Sequence, residues 1–132
     1  MKKYNIALFT IILLVGGFLL LQRNTQPEVT TLSDGASNVS MENDQQIVTI
    51  TAKGGYTPVM STVEAGIPTV IRFDTNGTFD CSSGVRIPSL GINESLPSNG
   101  TTDIAIGTLS AGDSIQGTCS MGMYRFEVNA QG

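Results

Sequence analysis

The 132-residue chain has no histidine, no tryptophan and only two cysteines. Without histidine it offers no imidazole as a metal ligand and none as a catalytic base. Without tryptophan it lacks the core residue that packs against the disulfide of antibody domains. Charged residues are few, the net charge is −4, and the basic residues do not cluster into a patch in the domain. We therefore expect no nucleic-acid partner.

Paired carboxylates, the other common acid–base device, are also missing. The acidic residues expected in loops are scattered without a paired pattern; they include Asp74, Asp80, Glu94 and Asp103. With neither imidazole nor a carboxylate pair, we predict that the protein is not an enzyme.

One long apolar run lies near the N-terminus. Residues 6–21 carry no charge, and Lys2 and Lys3 precede them. A membrane-spanning helix needs about 17–25 mostly apolar residues, and the run lacks the small-residue cleavage site of a secretory signal. We predict an uncleaved membrane anchor over residues 1–21. The lysines favour a domain outside the cytoplasm, whereas free thiols favour a reducing compartment, so the side of the membrane stays open.

Residues 22–44 are rich in Thr, Ser, Asn and Gln, and their few apolar residues follow no period. Such a composition cannot bury enough apolar surface to form a core. We predict a flexible polar linker over residues 22–44 and one small domain over residues 45–132. We expect this domain to be monomeric.

The domain has a β pattern throughout. Short β-branched or alternating runs, separated by Gly, Pro and Asn, recur about every ten residues, as in sandwiches and small barrels. No long helical period occurs without an interrupting glycine or proline. We predict an all-β Greek-key sandwich or barrel of antiparallel strands. The clearest strands are residues 46–52, 69–73, 102–106, 114–118 and 124–128.

Sulfur is concentrated in one short segment. Cys119, Met121 and Met123 lie close together, with Gly122 between the methionines, and Cys81 is the other cysteine. On a strand the three side chains would share one face, whereas Gly122 favours a tight turn that lets both thioethers converge. Thiolate and thioether are soft ligands that favour Cu(I). The segment therefore indicates a Cu(I) site as one hypothesis.

The same residues also fit roles other than copper binding. A Cys81–Cys119 disulfide would close a long loop and stabilise the fold by about 4 kcal/mol on the chain-entropy model, as small secreted domains often require. Two cysteines without histidine leave a tetrahedral zinc site two protein ligands short. A blue-copper electron-transfer site needs two imidazoles. The copper site and the disulfide therefore both stay open as hypotheses. The isolated Met60 is assigned to the core.

The order of several segments resembles the bacterial cupredoxin-like copper-binding domains. The segments are GYTP at 55–58, VEAGIP at 63–68, Cys81, IPSLGI at 87–92 and CSMGMY at 119–124. The resemblance covers nearly the whole domain, and C-x-M-G-M-Y is its most specific part. It implies a cupredoxin fold in which sulfur replaces the usual blue-copper ligands.

The resemblance also implies two Cu(I) ions per domain. Cys81 and Cys119 would form the tighter pair, with Cys119 able to bridge both ions, and Met121 and Met123 would form a weaker, more exposed position. The N-terminal anchor extends the resemblance to membrane-anchored Cu(I) chaperones, which implies a copper-exporting P-type ATPase as partner and a role in copper homeostasis and resistance. The alternative is a membrane-anchored, disulfide-stapled β-sandwich that binds no metal.

Overall fold

The structure is a computed structural model that describes residues 38–132. The predicted membrane anchor, residues 1–21, and most of the predicted linker lie outside this part of the chain. The described part consists of ten β-strands and two short 3-10 turns, with no α-helix among its residues. Within residues 38–132, no helix has the length and apolar character that a membrane crossing requires.

Five strands form the first sheet: β1 (Val39–Glu42), β2 (Gln45–Ala52), β3 (Tyr56–Thr57), β5 (Pro68–Asn76) and β8 (Asn99–Thr108). They lie in the order β1-β2-β5-β8, with β3 paired to β2. Strands β2 and β5 are parallel, whereas β5 and β8 are antiparallel.

Five strands form the second sheet: β4 (Met60–Glu64), β6 (Gly84–Ile87), β7 (Ile92–Ser95), β9 (Ser114–Thr118) and β10 (Arg125–Gln131). Their order is β4-β10-β9-β6-β7, and β4 is parallel to β10. The 3-10 turns, Cys81–Ser83 and Pro88–Leu90, flank β6 in the chain.

The core lies between the two sheets. On β10 the buried positions alternate, so that Phe126 and Val128 point inward between partly exposed neighbours, as expected of a strand with one buried face. Phe126 meets Phe73 of β5 edge to face, with ring centroids 5.3 Å apart. Both rings also contact Tyr56 edge to face. Three aromatic rings therefore join the sheets.

The all-β sandwich is confirmed, but the expectation of antiparallel strands throughout is wrong. After β2 and the short β3 the chain crosses to the second sheet, forms β4, and returns to the first sheet as β5. Such a crossover connection allows β2 and β5 to run parallel in one sheet. The parallel pairs β2/β5 and β4/β10 both involve chain that leaves one sheet for the other.

The first sheet begins ahead of the predicted domain boundary at residue 45. Strand β1 lies inside the predicted linker and pairs antiparallel with β2. Asn43 and Asp44 connect them with φ angles of 49° and 63°. Two residues with positive φ form the tight turn whose twist suits a β-hairpin.

The assignment of Met60 to the core is also wrong, because this residue of β4 is 63% exposed.

Candidate metal centre

Cys81 lies in a short 3-10 turn between β5 and β6. Asp80 caps this turn, because its carboxylate accepts hydrogen bonds from the backbone N–H and the hydroxyl of Ser82. The same carboxylate accepts the Gly54 N–H at 2.8 Å and so ties the turn to the segment after β2. The Ser82 hydrogen bonds, with that from Gly54, hold the pKa of Asp80 below its ordinary value. The position of Cys81 is therefore fixed by an ionised carboxylate.

Cys119 directly follows β9 and begins the turn that leads into β10. Its carbonyl accepts the Gly122 N–H at 2.9 Å, and its N–H donates to the Tyr124 carbonyl at 3.0 Å. Gly122 has a φ of 72°, which side-chain-bearing residues rarely adopt. Of the two geometries considered from the sequence, the tight turn is therefore the one present. The Cys119 side chain is fully buried in the core.

The structure joins Cys81 and Cys119 as a disulfide, with Cα atoms 5.6 Å apart. A hydrogen bond also joins the two loops, since the Met121 N–H donates to Cys81 Sγ with N and S 3.4 Å apart. The disulfide that the sequence left open is thus the pairing present in the structure. Because a disulfide has no thiolate, only the reduced pair can offer two thiolate ligands to a metal.

Met121 and Met123 project from the turn into solvent, with 72% and 68% of their surfaces exposed. Met123 also lines a groove of about 270 Å³ together with Val59 and Tyr124. The thioethers are thus reachable by a ligand or partner, in contrast to the buried Cys119. The sulfur-bearing loops form one end of the sandwich, which we call the sulfur end: residues 79–84 and 119–124.

Buried groups beneath the sulfur end hold its loops in place. The Tyr56 hydroxyl donates to the Gly84 carbonyl at 2.8 Å. Burial, and secondarily the nearby Asp80 charge, raise the pKa of Tyr56 well above its ordinary value, so the hydroxyl keeps its proton. Gly84 packs against Ser120, leaving no room there for a Cβ. These contacts connect β3, β6 and the turn after β9.

Sequence reasoning identified the sulfur atoms but missed the residues that position them. Asp80, Tyr56 and Gly84 make those contacts. A signal existed for Asp80, because an aspartate two positions before a serine often forms a local side-chain turn. Within residues 38–132, no group of three or more His, Cys, Asp or Glu side chains comes together. In the described part, the candidate metal donors are therefore the sulfur atoms of the two cysteines and of Met121 and Met123.

Comparisons with known proteins agree with the fold. The profile of the cupredoxin-like domain family matches residues 10–128. No curated protein sequence matches the chain. One similar structure is the metal-binding domain of the Streptococcus pneumoniae D39 Cu(I)-exporting P-type ATPase CopA with Cu(I), at 24% identity and a TM-score of 0.63, covering 73% of this chain and 95% of that domain. Another is a copper-binding protein in its apo form, at 22% identity and a TM-score of 0.63, covering 74% of this chain and 98% of that protein.

Proposed function

The chain belongs to the cupredoxin-like domain family, and from this premise we propose that its reduced form binds Cu(I) through the sulfur atoms of both cysteines and of Met121 and Met123. One observation carries the proposal. The two cysteines come from distant parts of the sequence, yet they meet beside a turn that exposes two methionines. Soft sulfur ligands favour Cu(I) over harder ions.

The burial of the four side chains supports a division of labour. Cys119 is fully buried, so a thiolate there would hold copper away from water, and its negative charge would offset that of the ion. Met121 and Met123 are neutral and exposed, which suits a weaker position. This contrast supports two Cu(I) ions, one held by the cysteines and one, more loosely, toward the methionines.

Copper would be the cargo of this protein. In its neutral thiol form the reduced pair carries two electrons and two protons more than the disulfide, so copper loading requires a reductant first. A thiolate pair alone would release its ion slowly. Accessible thioethers give an incoming ligand a place to start the exchange of one sulfur for another, as delivery to a second protein requires.

The role that fits these properties best is that of a copper chaperone or sequestering protein in copper homeostasis and resistance. The motifs also resemble the membrane-anchored chaperone CupA, which suggests a copper-exporting P-type ATPase as recipient.

Exposed apolar side chains at the sulfur end support docking of the recipient there, since Phe79 is 82% exposed. If the recipient docks through Phe79, Phe79→Ser will slow copper transfer to the metal-binding domain of such a pump at unchanged affinity for copper. An unchanged rate would argue against docking through Phe79.

Residues 1–21 complete the proposal as a membrane anchor. The support is the uncharged run at 6–21 with lysines ahead of it. Fractionation of cells expressing the full chain, and the same chain without residues 1–21, will place only the former with membranes. Equal recovery of both proteins in the soluble fraction would contradict the proposed membrane anchor.

Anaerobic titration of the reduced full chain with Cu(I), against a chelator of known affinity, tests the binding site. We expect two equivalents for the native sequence. Cys81→Ser or Cys119→Ser will remove tight binding, by at least about a hundredfold in affinity, because a thiolate is lost from the first site. The double substitution Met121→Leu with Met123→Leu will weaken only the second equivalent.

Met41→Leu is the matched control for the methionine variants. Met41 is 58% exposed but belongs to β1, where it pairs with Gln46 at the other end of β2 from the sulfur end. It should leave both equivalents unchanged. Equal losses for the Met41 variant and the Met121/Met123 variant would show that thioethers contribute non-specifically.

The disulfide itself favours a second function, that of a stapled binding domain without metal. It predicts no reactive thiol in the denatured, unreduced protein. It also predicts that the reduced protein takes up no Cu(I) in competition with the chelator. Tight uptake by the reduced chain excludes this function, whereas failure of uptake by a folded, fully reduced chain would establish it over the copper proposal.

A further inference from the structure

We infer that the Cys81–Cys119 disulfide is a thiol-exchange site for a low-molecular-weight thiol, and that the exchange runs through Cys81 alone. The inference does not depend on copper binding. It rests on a difference between the two sulfur atoms of one bond. Thiol–disulfide exchange requires an attacking thiolate to reach one of the two sulfurs, so unequal access decides where the incoming thiol becomes attached.

Access differs because the two cysteines lie at different depths. Cys119 has no exposed surface and belongs to the hydrophobic core. Cys81 is only partly buried and packs against the edge of that core, in a turn next to the exposed Phe79. An external thiol therefore reaches Cys81 Sγ without any unfolding, whereas attack at Cys119 requires the turn after β9 to open.

Hydrogen bonding does not distinguish the two sulfur atoms. Each accepts one backbone N–H at 3.4 Å, Cys81 Sγ from Met121 and Cys119 Sγ from Tyr124, so the difference between them is access. The Cys119 backbone is held by its own hydrogen bonds to Tyr124 and Gly122, which do not involve the disulfide. Likewise Asp80 holds the Cys81 turn. Both cysteines therefore keep their places after the bond opens.

The reaction balances in two steps. A thiolate attacks Cys81 Sγ, forming a mixed disulfide on Cys81 and releasing the Cys119 thiolate. A second thiolate then attacks the sulfur of the attached small thiol and releases the Cys81 thiolate together with the oxidised small disulfide. Two electrons pass from the two small thiols to the protein, which is left with its reduced pair. The reverse sequence, with an oxidised small disulfide, closes the bond again.

Partial reduction of the oxidised full chain with glutathione tests the inference. The reaction is stopped with acid, free thiols are alkylated with N-ethylmaleimide, and the tryptic peptides are analysed by mass spectrometry. Cleavage at Arg72, Arg86 and Arg125 separates residues 73–86, which contain Cys81, from residues 87–125, which contain Cys119. We expect glutathione on the 73–86 peptide in at least about a tenfold excess, with N-ethylmaleimide on the other.

The same reaction in guanidinium chloride is the control, because unfolding removes the difference in access and should place glutathione on both peptides to a similar extent. Comparable labelling of both peptides in the folded protein would overturn the inference. So would labelling mainly on residues 87–125, or a folded disulfide that glutathione does not open at all.

Single-cysteine variants give an independent readout of the same difference. The free Cys81 of Cys119→Ser should react with glutathione disulfide at least about tenfold faster than the free Cys119 of Cys81→Ser. Circular dichroism establishes that both variants are folded before the rates are compared. If either is unfolded, the peptide analysis of the native chain decides alone. Equal rates in two folded variants would contradict the assignment.

Discussion

Two regions of the sandwich link distant strands, and they use different chemistry. At the sulfur end, a disulfide joins the turn before β6 to the turn after β9. On the solvent-facing side of the first sheet, Arg72 of β5 binds Glu42 of β1 at 2.9 Å and Asp103 of β8 at 2.8 Å. The first link is covalent and partly buried, whereas the second is ionic and open to solvent.

The difference determines which condition each link responds to. Cys119 is fully buried, so its bond is insensitive to salt and opens only when electrons are supplied. The Arg72 side chain is 28% exposed and both carboxylates are 45% exposed, so salt and protons reach them freely. The disulfide link thus responds to reductants, whereas the ionic link responds to salt and protons.

The largest effect is expected from removal of the covalent link. Replacing both cysteines by alanine should lower the free energy of unfolding of the oxidised protein by roughly 4 kcal/mol, since the unfolded chain regains the freedom of a long loop. Urea denaturation of the two proteins measures the difference. Dithiothreitol should lower the stability of the native protein similarly and leave the double variant unchanged. A loss below about 1 kcal/mol would mean that the bond scarcely restricts the unfolded chain.

A smaller effect is expected from the support beneath the sulfur end. Tyr56→Phe keeps the ring but removes the hydroxyl that donates to Gly84, leaving a buried carbonyl without this donor. We expect a loss of about 1–2 kcal/mol in the free energy of unfolding. Tyr56→Leu should lose more, because the ring contacts with Phe73 and Phe126 go as well. Equal stability of Tyr56→Phe and the native protein would show that the hydrogen bond contributes nothing.

The smallest effect is expected from the ionic link. The Arg72 hydrogen bonds hold the pKa of Asp103 below its ordinary value of 3.8. A carboxyl whose pKa is depressed by folding stabilises the protein above its unfolded pKa and loses that contribution as pH falls through the folded pKa. The melting temperature should therefore stay level from about pH 7 to 5 and decline below about pH 4.

Asp103→Asn should make that decline shallower, and so should Asp80→Asn, because Asp80 also has a lowered pKa. Melting curves recorded from neutral to acidic pH compare the three proteins. Added salt should reduce the Asp103 contribution, since that pair is exposed. Parallel pH profiles for all three proteins would contradict the assignment of acid sensitivity to these carboxylates.

The sequence predicted those strands whose side chains alternate between core and solvent. Strand β9, Ser114–Thr118, has the predicted bounds, and β10 shows the alternation most clearly. Strand β7, Ile92–Ser95, was missed because it lies at the edge of its sheet, where polar side chains face solvent. Strand β4 was missed because one of its two buried positions is Ser61, which has no hydrophobic signature.

The candidate site was predictable only in part. Gly122 favoured a tight turn over a strand, and the turn is present. The exposure of Met121 and Met123 was implied by the family resemblance and not by their spacing. Spacing could not decide whether Cys81 and Cys119 form a bond or a ligand pair, because both require the same closeness and differ only in oxidation state. The hydrogen bonds of Asp80 depend on the segment after β2 folding back toward it, which a local pattern does not show.

In the proposed function, sulfur atoms alone would hold Cu(I). X-ray absorption at the copper edge of the reduced full chain, loaded with one and then two equivalents of Cu(I), measures the ligand atoms directly. We expect sulfur as the only nearest neighbour of copper at both loadings. Nitrogen or oxygen as a nearest neighbour at one equivalent would contradict it.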